Sequence, residues 1–263
     1  MLVHVFASGS SGNSLLVSEQ NTGLLIDAGI SLRRIRQALA QNGLGMQEIG
    51  GVLITHEHSD HILSLSALAD KMGLSVYAPH TVANRLIGRY PDLVDRLVVV
   101  PVGEAFSVGP LRVTAFHTPH DTDESVGYRI EGSGVFALAT DMGCVTEEVE
   151  AGLRGADTVL IEANHDPELL IAGPYPFPLK RRILSARGHL ANGDCAALAR
   201  RLAESGTKRV ILGHLSRENN RPELAMSAVS AALEGLDTEL YCAPVLGCLS
   251  VPVGKETTCC RSS

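Results

Sequence analysis

Short apolar runs broken by polar turns dominate the pattern of this chain. Leu2 to Phe6, Leu15 to Ser18, Leu24 to Asp27, Val52 to Ile54, Val76 to Ala78, Leu97 to Pro101 and Leu111 to Phe116 have the length and aliphatic content of strands. Val126 to Glu131 and Val135 to Thr140 predict a hairpin across Gly132, Ser133 and Gly134. Thr158 to Ala163, Lys208 to Leu212, Leu240 to Ala243 and Leu249 to Val253 complete the strands. A 3.6-residue period between them predicts helices: from an N-cap at Ser31 to about Gln41, over His61 to Met72, over His80 to Arg89, from an N-cap at Asn192 to about Ser205, and from Pro222 to near Gly235. Ser8 to Ser14 is a tight Gly and Ser turn that leads into a strand, so it reads as a hairpin and not as a phosphate-binding loop. The segment up to Arg187, with Pro174, Pro176 and Pro178 followed by basic residues, reads as a loop or lid holding a short helix.

Several of these strands stop on potential metal ligands. After Val52 to Ile54 comes T-H-E-H-S-D-H, with His56, His58, Asp60 and His61 within six residues. A lone histidine reads as a packed or surface residue. Four such donors on a turn read as a metal site, because imidazole and carboxylate suit Zn, Mn or Fe and a turn lets them converge around an open coordination position. The set divides into His56 with His58 for one ion and Asp60 with His61 for a second. Leu111 to Phe116 delivers F-H-T-P-H-D, where His117 and His120 compete as third ligand of the first ion, and Pro119 forces a turn ahead of His120. Asp141 ends the hairpin, and its two oxygens suit a bridge between cations. His214, in L-G-H-L-S, completes the second ion. Asp27 is expected to support the ligand loop or cap a turn, and His80 to lie on the surface. Repetition of strand followed by ligand predicts an α/β fold: a sandwich of two mixed β-sheets flanked by helices, αββα, with the ligands at one edge.

Composition bounds what this architecture is used for. At 263 residues and 45% hydrophobic the chain suits one domain, expected over residues 1–253, with a polar and disordered tail at 254–263 that holds Cys259 and Cys260. The other four cysteines lack metal spacing and read as buried thiols. No apolar run of membrane-spanning length and no basic leader is present, so a cytoplasmic protein without membrane attachment is expected. A net charge of −7 argues against broad capture of nucleic acid, yet residues 171–221 hold ten Lys and Arg against three acidic residues. That imbalance predicts one basic face for an anionic partner. With 4% aromatics and no Trp, a stacking platform for single strands is disfavoured.

The order H-x-H-x-D-H, H, D, H resembles the signature of the metallo-β-lactamase fold superfamily. F-A-S-G-S-S-G-N-S, I-E-A-N-H-D, the G-H-L-A-N run and L-G-H-L-S-R-E-N-N resemble its YycJ/WalJ branch, from about Val3 to Val253. The resemblance selects His120 over His117. It implies a metal-dependent exonuclease that degrades double-stranded DNA from 5′ to 3′ and acts in mismatch repair with repair partners. The chain lacks room for the large insert domain of several nucleases in the superfamily, so substrate grip falls to this domain, a lid or the second subunit of a homodimer.

On that reading the ligands are His56, His58, Asp60, His61, His120, Asp141 and His214, and the cofactors two divalent ions, Zn or Mn, with Fe disfavoured by His58 and His214. Such a pair activates a water for attack on phosphorus. Asp60 counts as catalytic through the metal, and His165 or His189 is expected to give a proton to the leaving oxygen or to grip phosphate. Arg181, Arg182, Arg187 and Arg217 are the expected contacts to backbone phosphates. A small-molecule hydrolase of thioesterase, lactonase or lactamase type is the alternative, since the same metal pair attacks a carbonyl. The basic segment, which an acyl substrate does not require, favours the nuclease.

Overall fold

The computed structural model describes residues 1–245 and 247–254, so the expected tail with Cys259 and Cys260 lies outside the described residues. Among the described residues, fourteen strands form two seven-stranded sheets. In the first, β1 (Leu2–Ala7), β2 (Ser14–Glu19), β3 (Thr22–Ile26), β4 (Ile49–Leu53), β5 (Val76–Ala78) and β6 (Leu97–Val99) follow in chain order, with β14 (Leu249–Pro252) paired to β1 at the far edge. The second runs from β7 (Ala105–Val108) through β8 (Leu111–His117), β9 (Val126–Glu131), β10 (Val135–Ala139), β11 (Thr158–Glu162) and β12 (Arg209–Gly213) to β13 (Glu239–Cys242). Both sheets are mixed. β3 to β6 and β10 to β13 are parallel, and the remaining pairs are antiparallel.

Alternation along the strands sends one set of side chains between the sheets and the other beneath helices. Val5, Leu24, Leu53, Tyr128, Phe136 and Ile211 fill the middle layer. Outside the first sheet, α1 (Leu32–Gln41), α3 (Leu65–Met72) and α4 (His80–Arg89) bury Ile35, Leu68 and Leu86. Outside the second, α5 (Glu147–Leu153), α8 (Asn192–Glu204) and α9 (Pro222–Ala232) bury Val149, Leu198 and Val229. This is the αββα sandwich predicted from the pattern. No helix among the described residues is long and apolar enough to cross a membrane.

Differences from the expected elements have local causes. The single helix over His61 to Met72 is split into α2 (Ser59–Ile62) and α3, because the Ala28 carbonyl accepts both the backbone N–H (2.9 Å) and the hydroxyl (3.1 Å) of Ser64. Asn192 opens α8 from inside the helix and spends its side chain on Asn220 (2.9 Å), leaving the N-cap position to Ala191. The Pro-rich stretch contains two short helices, α6 (Pro167–Ala172) and α7 (Phe177–Ile183), each opened by Pro in its first turn. β7 was not anticipated: Ala-Phe-Ser-Val is no continuous apolar run, and only Val108 of the four is buried.

Candidate metal centre

Parallel and antiparallel pairing together bring the C-terminal ends of β3, β4, β8, β10 and β12 to one edge. Asp27, the 55–61 turn, His120, Asp141 and His214 all follow those ends. Asp27, Asp141 and His214 adopt left-handed backbone, with φ of 58°, 56° and 54°. Such conformations are sparsely populated outside glycine and persist where surrounding bonds hold them. His214 is held on both sides: its N–H donates to Ser8 Oγ (2.8 Å), and its carbonyl accepts from Asn164 Nδ2 (2.9 Å).

The structure brings six of the seven predicted ligands into two adjoining triads, with the seventh, Asp141, between them. Donor atoms of His56, His58 and His120 lie within 4.8 Å of one another, as do those of Asp60, His61 and His214. Asp141 Oδ2 lies 3.4 Å from His61 Nε2, and its Oδ1 3.9 Å from His120 Nε2. The other candidate, His117, points to the surface and pairs with Glu148 at 3.0 Å.

Hydrogen bonds at the back of each ring decide which nitrogen faces inward. His61 Nδ1 donates to Asp27 Oδ2 (2.7 Å), His214 Nδ1 to Asn13 Oδ1 (3.2 Å), His120 Nδ1 to the Gly188 carbonyl (3.2 Å) and His56 Nδ1 to Thr55 Oγ1 (3.0 Å). Each leaves Nε2 with a lone pair for a cation, the usual support of metal-binding histidines. Thr55 passes its own hydroxyl proton to Asp27 (2.9 Å), so one carboxylate orients two rings.

The donor set fits a divalent ion. Buried His56 Nε2 and Asp141 Oδ2 have no hydrogen-bond partner, a costly state for polar atoms unless a cation joins them. His58 Nδ1 to His120 Nε2, His61 Nε2 to Asp60 Oδ2 and His214 Nε2 to Asp141 Oδ1 measure 3.4, 3.4 and 3.3 Å. These distances are long for hydrogen bonds. They equal the edge, about 3.3 Å, of a tetrahedron whose ligands lie about 2.0–2.1 Å from a central zinc. Burial above all pushes the pKa of His56 well below its ordinary value, so that ring is neutral and ready to ligate. Burial opposes ionisation of Asp141, yet the imidazoles packed around it, His214 and His61 foremost, hold its carboxyl well below the carboxylate range.

Glu162 and Asn13 were not singled out from the sequence. Glu162 ends β11 fully buried, accepts the Met142 N–H on Oε2 (2.8 Å) and holds His189 Nδ1 on Oε1 (2.7 Å). The His189 ring stacks on His214 with centroids 5.3 Å apart. Although burial opposes the charge, Glu162 and Asp141 raise the His189 pKa to about 9. His165 is in none of the candidate ligand groups: it is 1% exposed, neither ring nitrogen has a partner, and burial lowers its pKa. The Gly and Ser turn read as a plain hairpin supplies Asn13, whose Nδ2 also reaches Asp60 Oδ2 (3.3 Å). Asn13→Ala is expected to weaken metal binding at the Asp60, His61 and His214 triad by about 10- to 100-fold and to spare the other triad, as read by chelator competition.

Of the four arginines, Arg187 is committed to the site itself, its guanidinium donating to the carbonyls of His120 (2.7 Å) and Thr122 (2.5 Å). Arg182 pairs with Asp121, a further unanticipated residue, whose Oδ1 is 3.2 Å from His120 Nε2. Arg181 and Arg217 are exposed.

Strand-end ligands of this kind on an αββα sandwich define a metal-dependent hydrolase of the metallo-β-lactamase fold. The chain belongs to the β-lactamase superfamily, in its YycJ/WalJ-like branch: the model of the β-lactamase superfamily domain matches residues 22–215. It is 40% identical over 234 residues to Exodeoxyribonuclease YycJ of Bacillus anthracis, covering 88% of each chain. Exodeoxyribonuclease WalJ of Streptococcus pneumoniae is 38% identical over 247 residues, which is 90% of this chain and 92% of that one. The metallo-β-lactamase fold protein YhfI from Bacillus subtilis superposes with a TM-score of 0.71 over 95% of this chain and 99% of its own at 18% identity, a likeness of fold.

Proposed function

We propose that this protein is a dinuclear metal-dependent exonuclease that degrades double-stranded DNA from its 5′ end, in the service of mismatch repair. The observation that carries phosphodiester hydrolysis is the pairing of two ligand triads around Asp141 with His189 held on Glu162 at 2.7 Å beside them. Similarity to two exodeoxyribonucleases along most of both chains supports DNA as the substrate.

His56, His58 and His120 would hold one cation, Asp60, His61 and His214 the other, and Asp141 would touch both. When bound, such ions supply Lewis acidity and a water acidified toward neutrality. The chain's own residues do the rest. Asp27, Asn13 and the Gly188 carbonyl fix the rings, so that the site is arranged before substrate arrives. His189 is charged at neutral pH and gives its Nε2 proton to the leaving oxygen, while Glu162 holds Nδ1 and stabilises the charged ring until the proton leaves. His165, buried and neutral, is a packing residue on this reading.

The test is linear duplex DNA labelled at either end, incubated with the protein and Mn or Zn. Loss of the 5′ label first, abolished by chelation and by Asp60→Ala, is the expected result. Intact DNA alongside cleavage of a thioester or lactone would replace the nuclease with the small-molecule hydrolase.

A further inference from the structure

α6, α7 and the turn joining them carry an apolar surface that the fold leaves uncovered. Ile171, Phe177 and Leu184 are 65%, 76% and 49% exposed. With Lys180, Arg181 and Ser185 they line an open cleft of about 570 Å³. Phe177 is the only aromatic among the large apolar side chains exposed in the described residues. Clustered exposure of this kind marks a contact surface. Its rim is cationic: residues 171–187 contain four basic residues and no acidic one. Arg182 and Arg187 are engaged at the metal centre. Lys180 lines the cleft with its Nζ donating to the Ile171 carbonyl (2.6 Å), and Arg181 is exposed there.

The surface is braced to the site. The His189 N–H donates to the Ile183 carbonyl (3.0 Å), and Gly188 packs so closely that a Cβ there would fall 2.2 Å from the same oxygen. Seven residues at 1.5 Å each place Phe177 roughly 10 Å along the helix from that brace.

We infer that this surface seats the end of a DNA duplex, the terminal base pair stacked on Phe177 between Ile171 and Leu184, with the first backbone phosphates on Lys180 and Arg181. The inference rests on the nuclease reading and names the part of the substrate that is recognised. A duplex end is a flat apolar face ringed by phosphates, the chemical complement of an apolar centre with a cationic rim. A single strand would need a succession of aromatic platforms, and here there is one. A second copy of the chain would bring the same cations against each other.

Binding of the wild-type protein to a blunt duplex and to the same duplex closed at both ends by hairpin loops, which cover its terminal pairs, tests this without relying on turnover. Tighter binding to the blunt duplex is expected, by about tenfold for one base–aromatic stack. Phe177→Ser, a change at an exposed position, is expected to erase that preference and to leave the phosphate-driven affinity for the closed duplex. Equal wild-type affinity for the two, or a preference kept by Phe177→Ser, overturns the inference and leaves the nuclease intact. Binding to neither removes the inference together with the nuclease reading. A dimer seen in sedimentation that Phe177→Ser dissolves overturns it in favour of a second copy.

Discussion

His189→Ala is expected to lower turnover of duplex DNA by about 100- to 10,000-fold while the metal content stays that of the parent, because a positioned acid contributes on that order and His189, although grouped with Asp141, Glu162 and His214 as a possible ligand, is spent on Glu162 through Nδ1 and is in neither of the two triads. Loss of metal in proportion to activity would instead make it a ligand. Glu162→Gln separates the two roles further. The Glu162 carboxylate is the principal charge that raises the His189 pKa to about 9. A general acid works in its protonated form, so the parent is expected to keep its turnover up to about pH 9 and lose it above. Removing the charge lets the ring fall toward the ordinary histidine value of about 6.5, and the alkaline limb of kcat moves down with it. Stability has the same sign. A pKa raised on folding contributes fully below about pH 6.5 and is lost as pH rises through about 9, so Glu162→Gln is expected to flatten the parent's decline in Tm across that window. An alkaline limb that does not move excludes His189 as the acid.

Gly29→Ala is expected to destabilise the protein by more than about 4 kcal/mol and to remove metal binding at the second triad. A Cβ on Gly29 would fall 1.6 Å from the Asp60 carbonyl oxygen and 2.7 Å from the Asn13 nitrogen. Those two groups are themselves bonded, Asn13 N to Asp60 O at 2.8 Å, and Gly29 N donates to Asn13 O at 2.8 Å. No flexible side chain is available to yield, so the ligand loop must move away from β3. Gly43→Ala provides the control. Its φ of 70° is strained for alanine, but nothing lies within 4 Å of the added carbon, and the cost is expected near 1 kcal/mol. Calorimetry and metal analysis read both variants, and equal small losses would show that the ligand loop is free to shift.

The residues that converge as candidate metal ligands were legible in the sequence because they obey two local rules at once: each follows an apolar strand, and each belongs to the few residue types that bind cations. Asp27 was legible as support for the same reason. The residues that complete the site were hidden by distance along the chain. Asn13 meets Asp60 and His214 across 47 and 201 positions, and nothing in S-G-S-S-G-N-S distinguishes that bond from an ordinary turn. Glu162 ends a fully buried strand, where a carboxylate has no role until His189, 27 residues on, is folded against it. Two of the arginines expected on phosphate are bonded within the site, since charge along the sequence gives the sign of a surface and not the partner of each cation.

The brace at Gly188 and His189 divides the chain into a fixed part and a replaceable one. Strand ends carry the chemistry, and they are tied into both sheets. The stretch holding α6 and α7 leaves β11 and returns at one close-packed turn. A segment anchored in this way is interchangeable: a different insert between Asp166 and Gly188 can present another substrate to the same metal centre, provided that the glycine and the histidine after it are retained. Selectivity is thereby separable from hydrolysis, which makes this stretch the place to graft a new specificity.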